Sequence, residues 1–99
     1  MSYAKRTDRN HGHIRAALRD AGWFVKDTSA IGRGWPDLYI ARKGTEDEPA
    51  RCLWVEIKDG EKSASRRQLT AAQVQLHKEL AAAGFPVRVI CSVAEVEGL

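Results

Sequence analysis

The sequence has few of the residues that staple a chain or anchor it. It holds two cysteines, Cys52 and Cys91, far apart and in no Cys-x-x-Cys spacing. That excludes a disulfide scaffold and a zinc ribbon, and both thiols are read as reduced core residues in a cytosolic setting. No apolar run approaches the roughly 18 residues that a membrane span needs. No signal peptide is visible either, so the expected location is cytoplasmic, with no membrane partner. No internal repeat or low-complexity tract appears, which excludes a solenoid.

What is present is an ordinary globular composition: 43% hydrophobic and 29% charged over 99 residues. That length makes one domain, 1–99, with the polar residues 1–9 expected to be frayed. The net charge is +3. Its placement is more telling than its size. The first twenty residues hold Lys5, Arg6, Arg9, Arg15 and Arg19 against Asp8 and Asp20. A second basic knot, Arg66-Arg67, follows Lys62. Such clusters suit a polyanionic partner or simply a solvated face.

Periodicity divides the chain. In "HIRAALRDAG", Ile14, Ala17, Leu18 and Ala21 fall at helical spacing, and Gly22 stops the helix. "WFVKDT" at 23–28 reads as a strand, and the Gly-rich "SAIGRGWP" at 29–36 as a loop. "DLYIARK" at 37–43 and "CLWVEIK" at 52–58 form a hairpin across an acidic turn. A polar, basic loop, "DGEKSASRRQ", follows. Thr70 and Gln73 make a capping-box pattern opening a helix to about Ala83, closed by Gly84. Pro86 opens a last strand, "VRVIC", and Ser92 starts a short terminal helix. The order α-β-β-β-α-β predicts an α/β domain with a small mixed sheet flanked by helices.

Three features of this framework carry chemistry. Strand alternation puts Leu53, Val55 and Ile57 on one face and Trp54, Glu56 and Lys58 on the other. Charges at the end of an apolar strand need partners. Alone, Glu56 and Lys58 read as a salt bridge at a strand end. Asp37, at the start of the preceding strand, lies where it can converge with Glu56 across the hairpin. Two close carboxylates repel unless one is protonated or a cation joins them. A hard ion such as Mg²⁺ takes oxygen ligands, and the Ile57 backbone carbonyl can add one. Lys58 then reaches the reacting centre. Gln73 falls within about 20° of Leu80 on the apolar stripe of the second helix. It either closes only the capping box or also points at Glu56 and Lys58.

"PD" at 36–37, "EIK" at 56–58 and Gln73 resemble the PD-(D/E)XK nuclease signature. The phrases "GRGWPDLYIARKG" and "LWVEIKDGEKSASRRQLTAAQVQLHKELAAAGFPVRVICS" narrow it. With "AALRDAGWFVKDTSA" before them, they resemble the VRR-NUC branch from about residue 11 to 95. The resemblance implies a restriction-endonuclease-like fold and a phosphodiesterase acting on DNA with Mg²⁺ or Mn²⁺. It implies Asp37, Glu56 and the Ile57 main chain as metal ligands, Lys58 as the group that orients or activates water, and Gln73 as support. Members of the superfamily often carry a first-helix Glu that completes the metal site. Here "RNHGHI" has no acid, and Asn10 or His11 falls near that position. His11 is a metal-ligand candidate or a plain surface histidine.

Arg33, before Pro36, and Lys62, Arg66 and Arg67, after Lys58, are placed to rim the cleft and bind phosphates without reading sequence. No base-reading motif is visible. Small stand-alone members of the family resemble four-way (Holliday) junction resolvases, which implies branched DNA as substrate and a homodimer making two symmetric cuts. The alternatives are a nuclease-fold DNA-binding module with weak or no catalysis, and a nuclease subunit that needs a partner.

Overall fold

The computed structural model describes residues 10–59 and 68–99. Helix α1 (His11–Asp20) leads into strand β1 (Phe24–Asp27) and a turn of 3₁₀ helix (Ser29–Ile31). Strands β2 (Leu38–Arg42) and β3 (Arg51–Ile57) follow, then α2 (Ala71–Ala82), β4 (Val87–Ile90) and a terminal 3₁₀ helix (Val93–Gly98). The strands form one mixed sheet in the order β1-β2-β3-β4. The first three are antiparallel neighbours, and β4 joins β3 in parallel. A parallel neighbour needs a crossover, and α2 lies within that connection. The protein is therefore a small mixed α/β fold. Among the described residues no helix is long and apolar enough to cross a membrane.

The core lies on one sheet face. Val25, Leu38, Ile40, Val55, Ile57 and Ile90 bury there beneath Ile14 and Leu18 of α1, closed by Trp23 and Val96. Sequence alternation and the helical spacing of α1 point to this layer, because each rule leaves only one apolar face. Helix α1 begins two residues before the quoted stretch. Asn10 stands at its N-cap but makes no capping bond. Its side chain instead donates to the carbonyls of Cys91 (2.8 Å) and Lys58 (3.3 Å), tying the helix start to the exits of β4 and β3.

Two expectations need correction. Cys52 is exposed and Cys91 half-buried, both free, so neither is a core residue. Cys52 pairs with Ala41 on the sheet face turned away from α1. The apolar stripe of α2 is also less buried than its spacing predicts. Leu76 and Leu80 are half-covered, Ala83 is exposed, and Gln73 is the helix's buried residue. Among the strands α2 packs chiefly on β4, so most of its surface stays in solvent.

Candidate active site

Asp37 directly precedes β2, and Glu56 is the penultimate residue of β3. Leu38 pairs with Val55, so one step further out Asp37 comes opposite Glu56. Opposed residues of an antiparallel pair hold their Cβ atoms about 5 Å apart. Both carboxylates are buried, Asp37 at 5% exposure and Glu56 at 1%. That degree of burial is rare for acids and requires compensating contacts. Asp37 Oδ2 accepts the Ile57 N–H at 2.9 Å, locking the start of β2 to the end of β3. Its own carbonyl accepts the Thr28 N–H at 2.7 Å, and the Thr28 hydroxyl donates to the Pro36 carbonyl at 2.8 Å. The approach to Asp37 is thus held from both sides.

Lys58 follows β3 and stays aligned with β4 through its N–H, which donates to the Ile90 carbonyl at 3.0 Å. Its ammonium donates to Gln73 Oε1 at 3.0 Å. The same oxygen accepts the Thr70 N–H at 2.9 Å, and Gln73 N–H donates to Thr70 Oγ1 at 3.2 Å. Gln73 therefore closes the capping box and holds Lys58 at once. One turn on, His77 brings Nε2 to 3.5 Å from Glu56 Oε1. Burial, and then the nearby Lys58 charge, push the His77 pKa below the usual histidine value. The sequence carries no motif for His77, but its four-residue spacing from Gln73 puts both on one helix face, from which it can approach the site.

The loop before Asp37 is shaped by left-handed backbone. Gly32, Arg33 and Gly34 have φ of 70°, 54° and 86° in succession. Arg33 bears that conformation despite its Cβ and is exposed on the loop. Gly34 lies against the first turn of α2, where an added Cβ would sit 2.5 Å from the Ala72 carbonyl oxygen. Trp35 then packs on Trp54, whose ring also meets Tyr39 edge-on, with centroids 5.5 and 5.4 Å apart. The loop is therefore clamped between α2 and the outer face of the sheet. Lys62, Arg66 and Arg67 lie outside the described residues, as do Met1–Arg9.

His11 is buried, and its Nε2 lies 3.1 Å from Asp27 Oδ2. Arg15 donates to the same oxygen at 2.8 Å. Ser29 donates to Asp27 Oδ1 through its N–H (2.9 Å) and its hydroxyl (2.6 Å). His11 Nε2 is thus engaged by Asp27. Burial alone would raise the Asp27 pKa, but the Ser29 bonds and the His11 ring outweigh it and leave it below the ordinary 3.8. A depressed carboxylate stabilises the fold above its unfolded pKa and loses that contribution as pH falls through the folded value. Asp27→Asn is therefore expected to lower stability most at neutral pH. The gap to the wild type should narrow below about pH 4, read by urea unfolding at pH 7 and pH 3.

Asp37 and Glu56 are hard oxygen donors on adjoining strand ends. That set fits a divalent cation which keeps several waters, the habit of Mg²⁺. Among the described residues no three His, Cys, Asp or Glu side chains are grouped so as to hold a metal ion. Asp59, read from sequence as loop, is also buried just past Lys58. No protein-family model matches the chain, and no curated protein or solved structure does either.

Proposed function

We propose that the protein is a divalent-metal-dependent DNA endonuclease with a restriction-endonuclease-like core of the VRR-NUC kind. The observation that carries this reading is the meeting of Asp37, Glu56 and Lys58 at one end of the sheet, with the Lys58 ammonium held by Gln73. Asp37 and Glu56, with the Ile57 carbonyl, would hold Mg²⁺ or Mn²⁺. A bound divalent cation supplies Lewis acidity and screens the charge that grows on phosphate oxygens. Lys58 orients the attacking water and stabilises negative charge on the phosphate. Gln73 keeps the ammonium from wandering, which lowers the cost of ordering a flexible side chain. Arg33, on its strained loop, and Lys62, Arg66 and Arg67 contact DNA phosphates.

Branched DNA, a four-way junction above all, is the proposed substrate, and a homodimer the working form. Two symmetric cuts need two copies of the site related by a two-fold axis. A second reading is a DNA-binding module with weak or no catalysis, or a subunit that needs a partner. It is favoured by the start of α1, which offers Asn10 and His11, each engaged elsewhere, and no acid.

The test is cleavage of a labelled synthetic junction and a matched linear duplex with Mg²⁺ or Mn²⁺. The junction is expected to be cut and the duplex spared. Equal cutting of both would remove junction selectivity. Salt-sensitive binding with no cutting would favour the binding module.

A further inference from the structure

We infer that the outer face of the sheet, over β1, β2 and β3, binds unpaired DNA by stacking bases on its aromatic side chains. Strand alternation sets this face. Phe24, Ala41 and Cys52 form one row across it, and Lys26, Tyr39 and Trp54 the next. Trp35 packs on Trp54, and Tyr39 meets the same ring edge-on. Phe24 is 60% exposed and the other three rings are half-buried, so ring surface is left for a ligand. Ala41 and Cys52 are small, and a hollow of about 410 Å³ lies over them. Phe24, Tyr39 and Cys52 line it, with Arg42, Lys43 and Arg51 at the end nearest the β2–β3 turn. None of the residues that line it is acidic.

The charges point to a phosphate chain. Arg42 and Arg51 stand directly opposite each other on β2 and β3. Like charges so placed repel. Neither pairs with an acid among the described residues. Their guanidiniums lie 4.3 and 5.5 Å from the centre of the Trp23 ring, and Arg42 also donates to the Ala21 carbonyl. Both are thus held in place with their charge still available, and a phosphate beside them would relieve the repulsion. A nucleotide brings that phosphate together with a flat base that stacks on an aromatic ring. A base inside a duplex is already stacked on its neighbours, so the rings select unpaired strands. A second copy of the chain is the poorer occupant, because pairing would set two cationic faces together. Glu56 follows Trp54 by two residues and so lies on the same side of β3. A strand stacked on this face therefore leads toward the candidate active site. The choice of DNA over RNA rests on the nuclease reading, whereas the stacking does not.

The experiment is fluorescence anisotropy of a labelled oligothymidylate of about 12 nucleotides, against a matched blunt duplex. The full chain is used with a chelator present, so that no metal-dependent cutting intrudes. The single strand should bind about tenfold more tightly than the duplex. Phe24→Leu keeps apolar bulk without the ring and should weaken single-strand binding about tenfold. Phe24→Tyr should keep the wild-type affinity, and circular dichroism should show both variants folded. Lys43→Ala should flatten the salt dependence of binding. Equal binding of strand and duplex, or full affinity in Phe24→Leu, would overturn the platform. So would a dimer that Phe24→Leu dissociates while no oligonucleotide binds, which would give the face to a second copy. Tighter binding of a matching RNA strand would overturn the choice of DNA. Single-strand binding that depends on Phe24, with no junction cutting when Mg²⁺ or Mn²⁺ is supplied, would uphold the platform and count against the nuclease reading alone.

Discussion

Under the proposed nuclease function, Asp37→Asn is expected to reduce DNA cleavage by about a hundredfold or more while leaving the fold close to intact. The two effects separate because Asp37 does two things. Its charge is one of the two carboxylates proposed to hold the cation, and the amide lacks it. Its Oδ2 also accepts the Ile57 N–H at 2.9 Å, a buried bond that joins the starts and ends of adjoining strands. Asparagine keeps a carbonyl oxygen for that bond. Asp37→Ala keeps neither, and leaving a buried N–H without an acceptor costs about 1–3 kcal/mol. Thermal melting should therefore rank wild type and Asp37→Asn close together, with Asp37→Ala clearly lower. Both variants should fail to cut. An Asp37→Asn protein that cuts normally would remove the metal role from this residue.

The second large effect is on the loop. Gly34→Ala is expected to destabilise the protein by about 2–5 kcal/mol, from left-handed strain and steric overlap together. With φ at 86° and the Ala72 carbonyl oxygen 2.5 Å from an added Cβ, the backbone on one side must move. The element that yields is the first turn of α2, which holds Thr70 and Gln73. The substitution should therefore also loosen the Lys58–Gln73 bond and lower cleavage in whatever fraction remains folded. Denaturant unfolding measures the first effect, and cleavage per folded molecule the second. Gly32→Ala meets nothing within 4 Å and isolates the cost of positive φ from the cost of overlap.

Local rules made much of the fold legible. Strand alternation separated Val55 and Ile57 from Trp54 and Glu56. The Thr70 and Gln73 pair marked the start of α2 because a capping box is a four-residue pattern that needs no tertiary information. In a hairpin the start of one strand lies beside the end of the next, which lets Asp37 converge with Glu56.

What stayed hidden depended on contacts distant in sequence. Asn10 looks like an N-cap, yet it bonds to carbonyls 48 and 81 residues away. His11 and Asp27 carry no motif, and only the docking of α1 against the end of β1 joins them. Cys52 looked like core because its neighbours are apolar. Which sheet face α1 would cover was not written in that run. Gln73 was read as either a cap or a site residue. A single carbonyl oxygen that accepts both the Thr70 N–H and the Lys58 ammonium serves both purposes. His77 lies one turn after Gln73, where it can approach the site, but that spacing alone does not say that Glu56 lies beneath it.

The central claim is that the ends of β2 and β3 form a divalent-cation site through Asp37 and Glu56. Calorimetric titration of Mn²⁺ into the wild type and Asp37→Asn tests it most directly. The account predicts a saturable site in the wild type that Asp37→Asn removes. Absence of binding in the wild type, or equal binding by both proteins, would contradict it.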